Sequence, residues 1–247
     1  MHLEQNDIEY FHKRFAENHK FWTRLKGNPS FEGKTILDVG CGHGALCVDM
    51  ASQGAKKVVG IDISKHRINF ANSNIIQNYP KLLSIIEFKC CDIFTLPQYQ
   101  FDIIVSEDTF EHIIEPDKCL IGMKVRLKVN GKIYIGFSPL YNSPYGDHKR
   151  TEAIIPWGHL IFSEEMLIKK LKKKYKERNI ECIEDLGLNK MSFKEWKKLF
   201  NNSGLHFVYF EVNQSKKLIM RIFSLLRRIS YLEEYFSRNI YCILENR

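Results

Sequence analysis

The chain has 247 residues, of which 44% are hydrophobic and 13% aromatic; that is apolar material for one large core and excludes an intrinsically disordered chain. A formal charge of +8 suits an anionic partner without naming one, because lysine runs commonly form solvated faces. Seven cysteines in no regular spacing argue for reduced thiols and a cytoplasmic setting, no signal peptide is expected at the start, and no apolar run is long enough to span a bilayer.

In chain order, residues 7–26 place Ile8, Phe11, Phe15 and Trp22 at helical spacing, and Gly27-Asn28-Pro29 stops the pattern. The apolar run Thr35–Val39 then reads as a buried strand and Ala45–Ser52 as a helix. Between them glycine recurs at every second position, at Gly40, Gly42 and Gly44, after Asp38. Such a turn lets a ligand press against bare backbone. The helix start behind it offers unpaired N–H groups and a positive dipole end.

Asp38, Gly40, Gly42 and Gly44 fill the pattern Asp/Glu-x-Gly-x-Gly-x-Gly, and the stretch resembles the first motif of class I S-adenosylmethionine (SAM) methyltransferases. A nicotinamide-binding turn spaces its glycines as Gly-x-Gly-x-x-Gly instead. A pyrophosphate needs N–H donors and no adjacent carboxylate, whereas the sulfonium and ammonium of SAM can use Asp38. The resemblance implies an α/β, Rossmann-like fold: a seven-stranded, mostly parallel sheet with helices on both faces. Its strand 7 runs antiparallel, inserted between strands 5 and 6. It also implies SAM as co-substrate, in contact with Asp38, Gly40, Cys41, Gly42 and Gly44. Residues 1–33 then form an N-terminal helical cap and 34–247 the SAM-binding domain. In that family a leading helix lies over the cofactor or the acceptor; the alternative is a helix covering one sheet edge. His43 is expected to be exposed, or to meet the cofactor through its backbone.

Residues 56–61 read as the second strand, and Asp62 follows about twenty residues after the turn, where a Rossmann-like unit sets a carboxylate over ribose hydroxyls. By resemblance Asp62 binds the ribose and Ile63 packs on the adenine. Residues 64–77 read as a helix capped by Ser64, and 84–90 as the third strand. The next residues, Cys91, Asp92 and Ile93, match the adenine-binding position of the family, with Asp92 accepting from the amino group; a helix cap is the other reading of Asp92. Residues 101–106 read as the fourth strand, and the run Phe101 to Ile113 resembles the family's fourth segment, which places Ser106 and Glu107 near the methionine end of SAM. A helix over 117–128 and a fifth strand over 132–137 follow.

Residues 138–163 concentrate prolines, glycines, aromatics and histidines in one long connection beyond the fifth strand, expected to form an acceptor-binding loop or lid. A lysine-rich helix over 163–178, a helix over 192–203, strands over 205–212 and 239–244, and an insert over 216–237 complete the chain. In the insert Leu218, Ile222, Leu225 and Ile229 share one helical face and Lys217, Arg221 and Arg228 another, so 216–230 either caps the sheet edge or makes peripheral membrane contact.

Methyl transfer to a hydroxyl needs alignment and a base, most often histidine. His112, His148 and His159 stand on the segments facing the acceptor, with Asp147 and Glu111 beside two of them. No metal is expected: Ser138-Pro139-Leu140 stands where the metal-dependent catechol enzymes supply an acid, though Asp147, His148 and His159 could hold one if the loop brought them together. The base-methylating motif Asn/Asp-Pro-Pro-Tyr/Phe and a Pro-Cys nucleophile are both absent after the fourth strand. The expected acceptor is therefore a small molecule, and nucleic acid is not the expected partner. An RNA methyltransferase gripping phosphate with the lysine helix, and a non-catalytic SAM-binding regulator, are the alternatives.

Overall fold

The computed structural model describes residues 3–97, 99–177, 179–215 and 217–247. Lys216 and Arg178, which bound the expected insert and lysine-rich helix, lie outside the described residues. One sheet of seven strands runs through the molecule in the order β3-β2-β1-β4-β5-β7-β6. The strands are β1 (Thr35–Val39), β2 (Lys57–Asp62), β3 (Ile86–Cys90), β4 (Phe101–Glu107), β5 (Leu127–Phe137), β6 (His206–Val212) and β7 (Ile240–Glu245). All neighbouring pairs from β3 to β5 are parallel; β7 is antiparallel to both β5 and β6. The expected Rossmann-like topology is therefore present, with β7 in the expected place.

Strand alternation splits the apolar side chains between two layers. Ile36 faces the layer that holds Phe11, Trp22, Met50, Phe70 and Tyr241, beneath α1 (Gln5–Arg24), α2 (Ala45–Ser52) and α3 (Lys65–Asn78). Leu37 and Val39 face the other, where Phe110, Met123, Phe137, Trp196 and Phe200 pack under α4 (Pro116–Val125) and α7 (Phe193–Asn201). Helix starts follow the sequence signals. The Ser64 hydroxyl accepts from the Arg67 N–H, and Ser192 with Glu195 closes a reciprocal capping box.

Several expected boundaries move. The helix expected over 117–128 stops at Val125, because Leu127 already pairs with Phe101. The ladder then jumps to Ile103 with Lys132, so residues 128–131 bulge out, with Asn130 in the left-handed region at φ 62°. The expected insert is two short helices, α8 (Leu218–Leu226) and α9 (Glu233–Phe236). The connection after β5 contains only the single turn α5 (Gly158–Ile161), and α6 (Glu164–Lys174) follows, capped by Ser163.

Candidate active site

The strand order reverses between β1 and β4, and a cavity of 610 Å³ opens at the carboxyl ends there. Asp38 and Val39 line it from β1, Ile61 and Asp62 from β2, and Glu107 from β4. Gly40, Cys41, Gly42, Ile63, Cys91, Asp92 and Ile93 of the expected set also stand on its walls.

The three glycines do different things. Gly40, at φ 79°, lies against Thr109: a Cβ there would come within 2.3 Å of the threonine hydroxyl. Gly42, at φ 54°, would project a Cβ into open space on the cavity wall. Gly44 is not on the wall; it is the left-handed residue before α2, and a Cβ there would meet the Phe88 ring at 2.5 Å. Its place is one of close packing of helix on strand. The turn also spends its own donors: Gly40 and Cys41 N–H both donate to the Ile61 carbonyl, and Gly42 N–H donates to Asp62 Oδ2 at 3.0 Å. Its contribution is room and shape more than free N–H groups.

Asp62 Oδ1 accepts from the Ser64 N–H at 2.8 Å, so each oxygen is held by one backbone donor and keeps a lone pair. Asp92 Oδ1 accepts from the Phe94 and Thr95 N–H groups at 2.8 and 2.9 Å; no helix follows, so this caps a turn and not a helix, and its other oxygen has no such bond among the described residues. Ser106 is fully buried and donates to the Val39 carbonyl at 3.0 Å; it ties β4 to β1 beside Glu107 and is not on the cavity wall itself.

Two carboxylates of the cavity are shifted by their surroundings. Burial pushes the Asp38 carboxyl up to about 7, and burial pushes Glu107 up to about 7 against the pull of Arg14. Arg14 of α1 reaches Glu107 at 2.9 Å and Asp108 at 3.1 Å. Tyr10, Arg14 and Asn18 all line the cavity, so the leading helix lies over it. These three recur every fourth residue, a polar stripe that a search for apolar spacing passes over. A second tie holds the same helix: Asp7 sits 2.9 Å from both His43 Nε2 and His66 Nε2. His43 is thus buried beside Tyr10 and Phe70 rather than exposed.

The three candidate bases separate. His112 lines the cavity, and its Nδ1 lies 2.7 Å from the Gly187 carbonyl. A carbonyl only accepts, so Nδ1 carries the hydrogen and Nε2 keeps its lone pair; burial lowers the His112 pKa. His148 stands behind it with ring centroids 4.8 Å apart, and burial together with His112 pushes it down to about 4. His159 is not on the cavity wall: its Nε2 donates to the Tyr141 carbonyl at 2.6 Å and its Nδ1 is 3.6 Å from Asp147. Asp147 also accepts from Thr151, so this pair is the internal brace of the long loop. The hypothetical set Asp147, His148 and His159 does not converge. Instead Glu111, His112 and His148 bring ligand-type atoms within 4.8 Å of one another. Among the described residues both Glu111 oxygens and His148 Nε2 are buried without a hydrogen-bond partner, Glu111 Oε1 lying 4.0 Å from His112 Nε2, and burial drives the Glu111 pKa well up. Asn189 fixes this turn by donating to the Phe110 and Ile113 carbonyls at 2.7 and 2.9 Å. Gly187 and Asn189 come from a segment with no sequence signal, so only the folded chain reveals them.

In α6, Lys172 pairs with Glu181 and Lys174 with Glu152, so part of the lysine charge is spent internally.

Residues 30–223 match the family model described as a methyltransferase domain. The chain is 28% identical over 148 residues to a ubiquinone biosynthesis O-methyltransferase of Neisseria meningitidis serogroup C, covering 59% of this chain and 56% of that protein. It thus spans about half the length of the curated relatives it matches. A putative S-adenosylmethionine-dependent methyltransferase from Listeria monocytogenes superposes with a TM-score of 0.59 at 16% identity, covering 93% of this chain and 99% of that one. Geranyl diphosphate C-methyltransferase from Streptomyces coelicolor A3(2) superposes with a TM-score of 0.60 at 13% identity, covering 98% and 82%. The family model spans most of the chain, and with it β1 to β5 and the cavity at their ends: the chain belongs to the methyltransferase domain family.

Proposed function

We propose that this protein transfers a methyl group from SAM to a hydroxyl of a small molecule, and that His112 takes the hydroxyl proton. The observation that carries the base assignment is the Gly187 carbonyl on His112 Nδ1, which leaves Nε2 with its lone pair at a residue of the cavity wall. The cavity fits the co-substrate on its own features: an open Gly42, two buried carboxylates for a cation, and Asp62 with spare acceptor capacity.

When bound, SAM supplies a methyl group already activated on a sulfonium. The chain's own residues then orient and shield. Asp62 and the oxygen of Asp92 not used in capping accept hydrogen bonds from the nucleoside, and Asp38 and Glu107 complement positive charge. Arg14 holds α1 down across the opening and keeps water out. His112 accepts the acceptor's proton at Nε2 as the oxygen becomes nucleophilic, and alignment supplies much of the remaining barrier reduction. The name of the Neisseria relative, an O-methyltransferase, supports oxygen over carbon as the methylated atom.

The test is methyl transfer from labelled SAM to a panel of hydroxylated aromatic, sugar and isoprenoid compounds. His112→Gln should leave SAM binding within about threefold and lower turnover by roughly 100-fold or more, the ordinary worth of a general base. Normal SAM binding with no methylation across the panel would instead support the non-catalytic reading. A second reading is favoured by the orphaned Glu111 carboxylate: a divalent cation held by Glu111, His112 and His148 would polarise the acceptor. Loss of activity on dialysis against EDTA, restored by one divalent metal, distinguishes it.

A further inference from the structure

The helix α8 separates its residues in a way the methyltransferase reading does not use. Met220 and Phe223 point inward, and Phe223 packs edge-on against Phe236 at 5.1 Å. The opposite stripe faces solvent: Leu218 is 70% exposed and Leu225 63%, with Ile219, Ile222 and Ile229 also exposed. The alternative of a simple sheet-edge cap would have buried that stripe. Cations flank it. Arg227 is neutralised by Glu233 at 3.1 Å, but the side chains of Arg221 and Arg228, on the exposed side, form no ion pair or hydrogen bond among the described residues. Those two arginines, with Ser215, Ser224, Asn213, Met220 and Leu225, line a separate 300 Å³ cavity beside the helix.

Exposed apolar side chains beside unpaired cations form the signature of a helix lying in a membrane interface. No helix among the described residues is long and apolar enough to cross a membrane, so the contact is with one leaflet. We propose that α8 docks on an anionic phospholipid surface, with a headgroup phosphate between Arg221 and Arg228 and with Leu218, Ile222 and Leu225 entering the acyl boundary. Charge complementarity selects this occupant: a second copy of the chain would bring the same two arginines against themselves or their like. The helix is also mounted on the acceptor side of the molecule. Phe236, its inner partner, stacks edge-on with Trp157 of the long loop at 5.4 Å, so a bilayer bound at α8 is mechanically linked to that loop.

Flotation of the full chain with vesicles tests the surface without reference to methyl transfer. Vesicles of phosphatidylcholine with about one third phosphatidylglycerol should carry the protein up; pure phosphatidylcholine should carry at least tenfold less. Arg221→Ala/Arg228→Ala should lower the anionic partition roughly 25-fold at low salt, each basic residue being worth about fivefold. Leu218→Ser/Leu225→Ser should abolish flotation while SAM binding, measured in parallel, stays unchanged and reports an intact fold. Equal flotation of wild type and both double variants overturns the proposal. So does equal binding to neutral and anionic vesicles. Concentration-dependent dimerisation lost in Leu225→Ser, with no vesicle binding, also overturns it and assigns the face to a second copy of the chain.

Discussion

With SAM bound as proposed, the Asp38 and Glu107 carboxylates of the cavity should make its affinity a function of pH. Asp38 and Glu107 each sit near 7 in the free protein, raised from ordinary values of 3.8 and 4.5 chiefly by burial. A ligand with two positive groups favours their ionised forms, so at pH 6 binding must expel protons that at pH 8 are already gone. For one carboxylate with a pKa of about 7 that is ionised in the complex, apparent affinity should fall roughly tenfold from pH 8 to pH 6, and for two independent groups about 100-fold. Free-protein stability runs the other way. A raised acid favours folding fully below its unfolded pKa and loses that contribution as pH rises through about 7, so the unliganded chain should soften over the window in which SAM binding strengthens. Calorimetry at pH 6, 7 and 8, in two buffers of different ionisation enthalpy, measures both the affinity and the protons released. S-adenosylhomocysteine, which lacks the sulfonium charge, should show a shallower slope, and Asp38→Asn should remove up to tenfold of the dependence. A constant SAM affinity across this range, with heats independent of buffer, would refute the reasoning.

Three further outcomes follow from single positions. Asp62→Ala removes the acceptor of two backbone N–H groups and of the proposed ribose contacts; two charge-assisted bonds at about 1.5 kcal/mol each make SAM binding roughly 100-fold weaker by calorimetry. Gly40→Ala puts a Cβ at φ 79° into the Thr109 side chain; the left-handed backbone alone costs about 1–2 kcal/mol, visible as a lowered denaturation midpoint, and the displaced Thr109 should weaken SAM binding as well. Ser192→Ala opens the capping box of α7, which is not part of the cavity wall; it should lower stability by about 1 kcal/mol in urea and leave SAM affinity unchanged.

The site was legible where function depends on local backbone. The spaced glycines after Asp38, and an acid after each of β2 and β3, are requirements of a single turn or strand end, so the residues announce themselves in order. Ser106 and Gly44 carried the same local signal yet serve packing, because which side of a strand end or turn faces the cavity depends on the neighbouring strand. The histidines were least legible. His112, His148 and His159 are equivalent as letters; they differ because Gly187 arrives to bind one, Asp147 to buttress another, and desolvation holds the third neutral.

Taken alone, the amino-acid order determined the strand-turn-helix that opens the sheet, the alternation that buries both its faces, and the acids at its carboxyl edge. These depend on periodicity, glycine φ values and capping, all of which act within a few residues. Tertiary structure decided that Arg14 meets Glu107, 93 residues further on, at the cavity wall, that His112 keeps its lone pair, and that α8 turns an apolar stripe to solvent. Those are contacts between distant segments, and their energies exist only once the chain has brought the segments together.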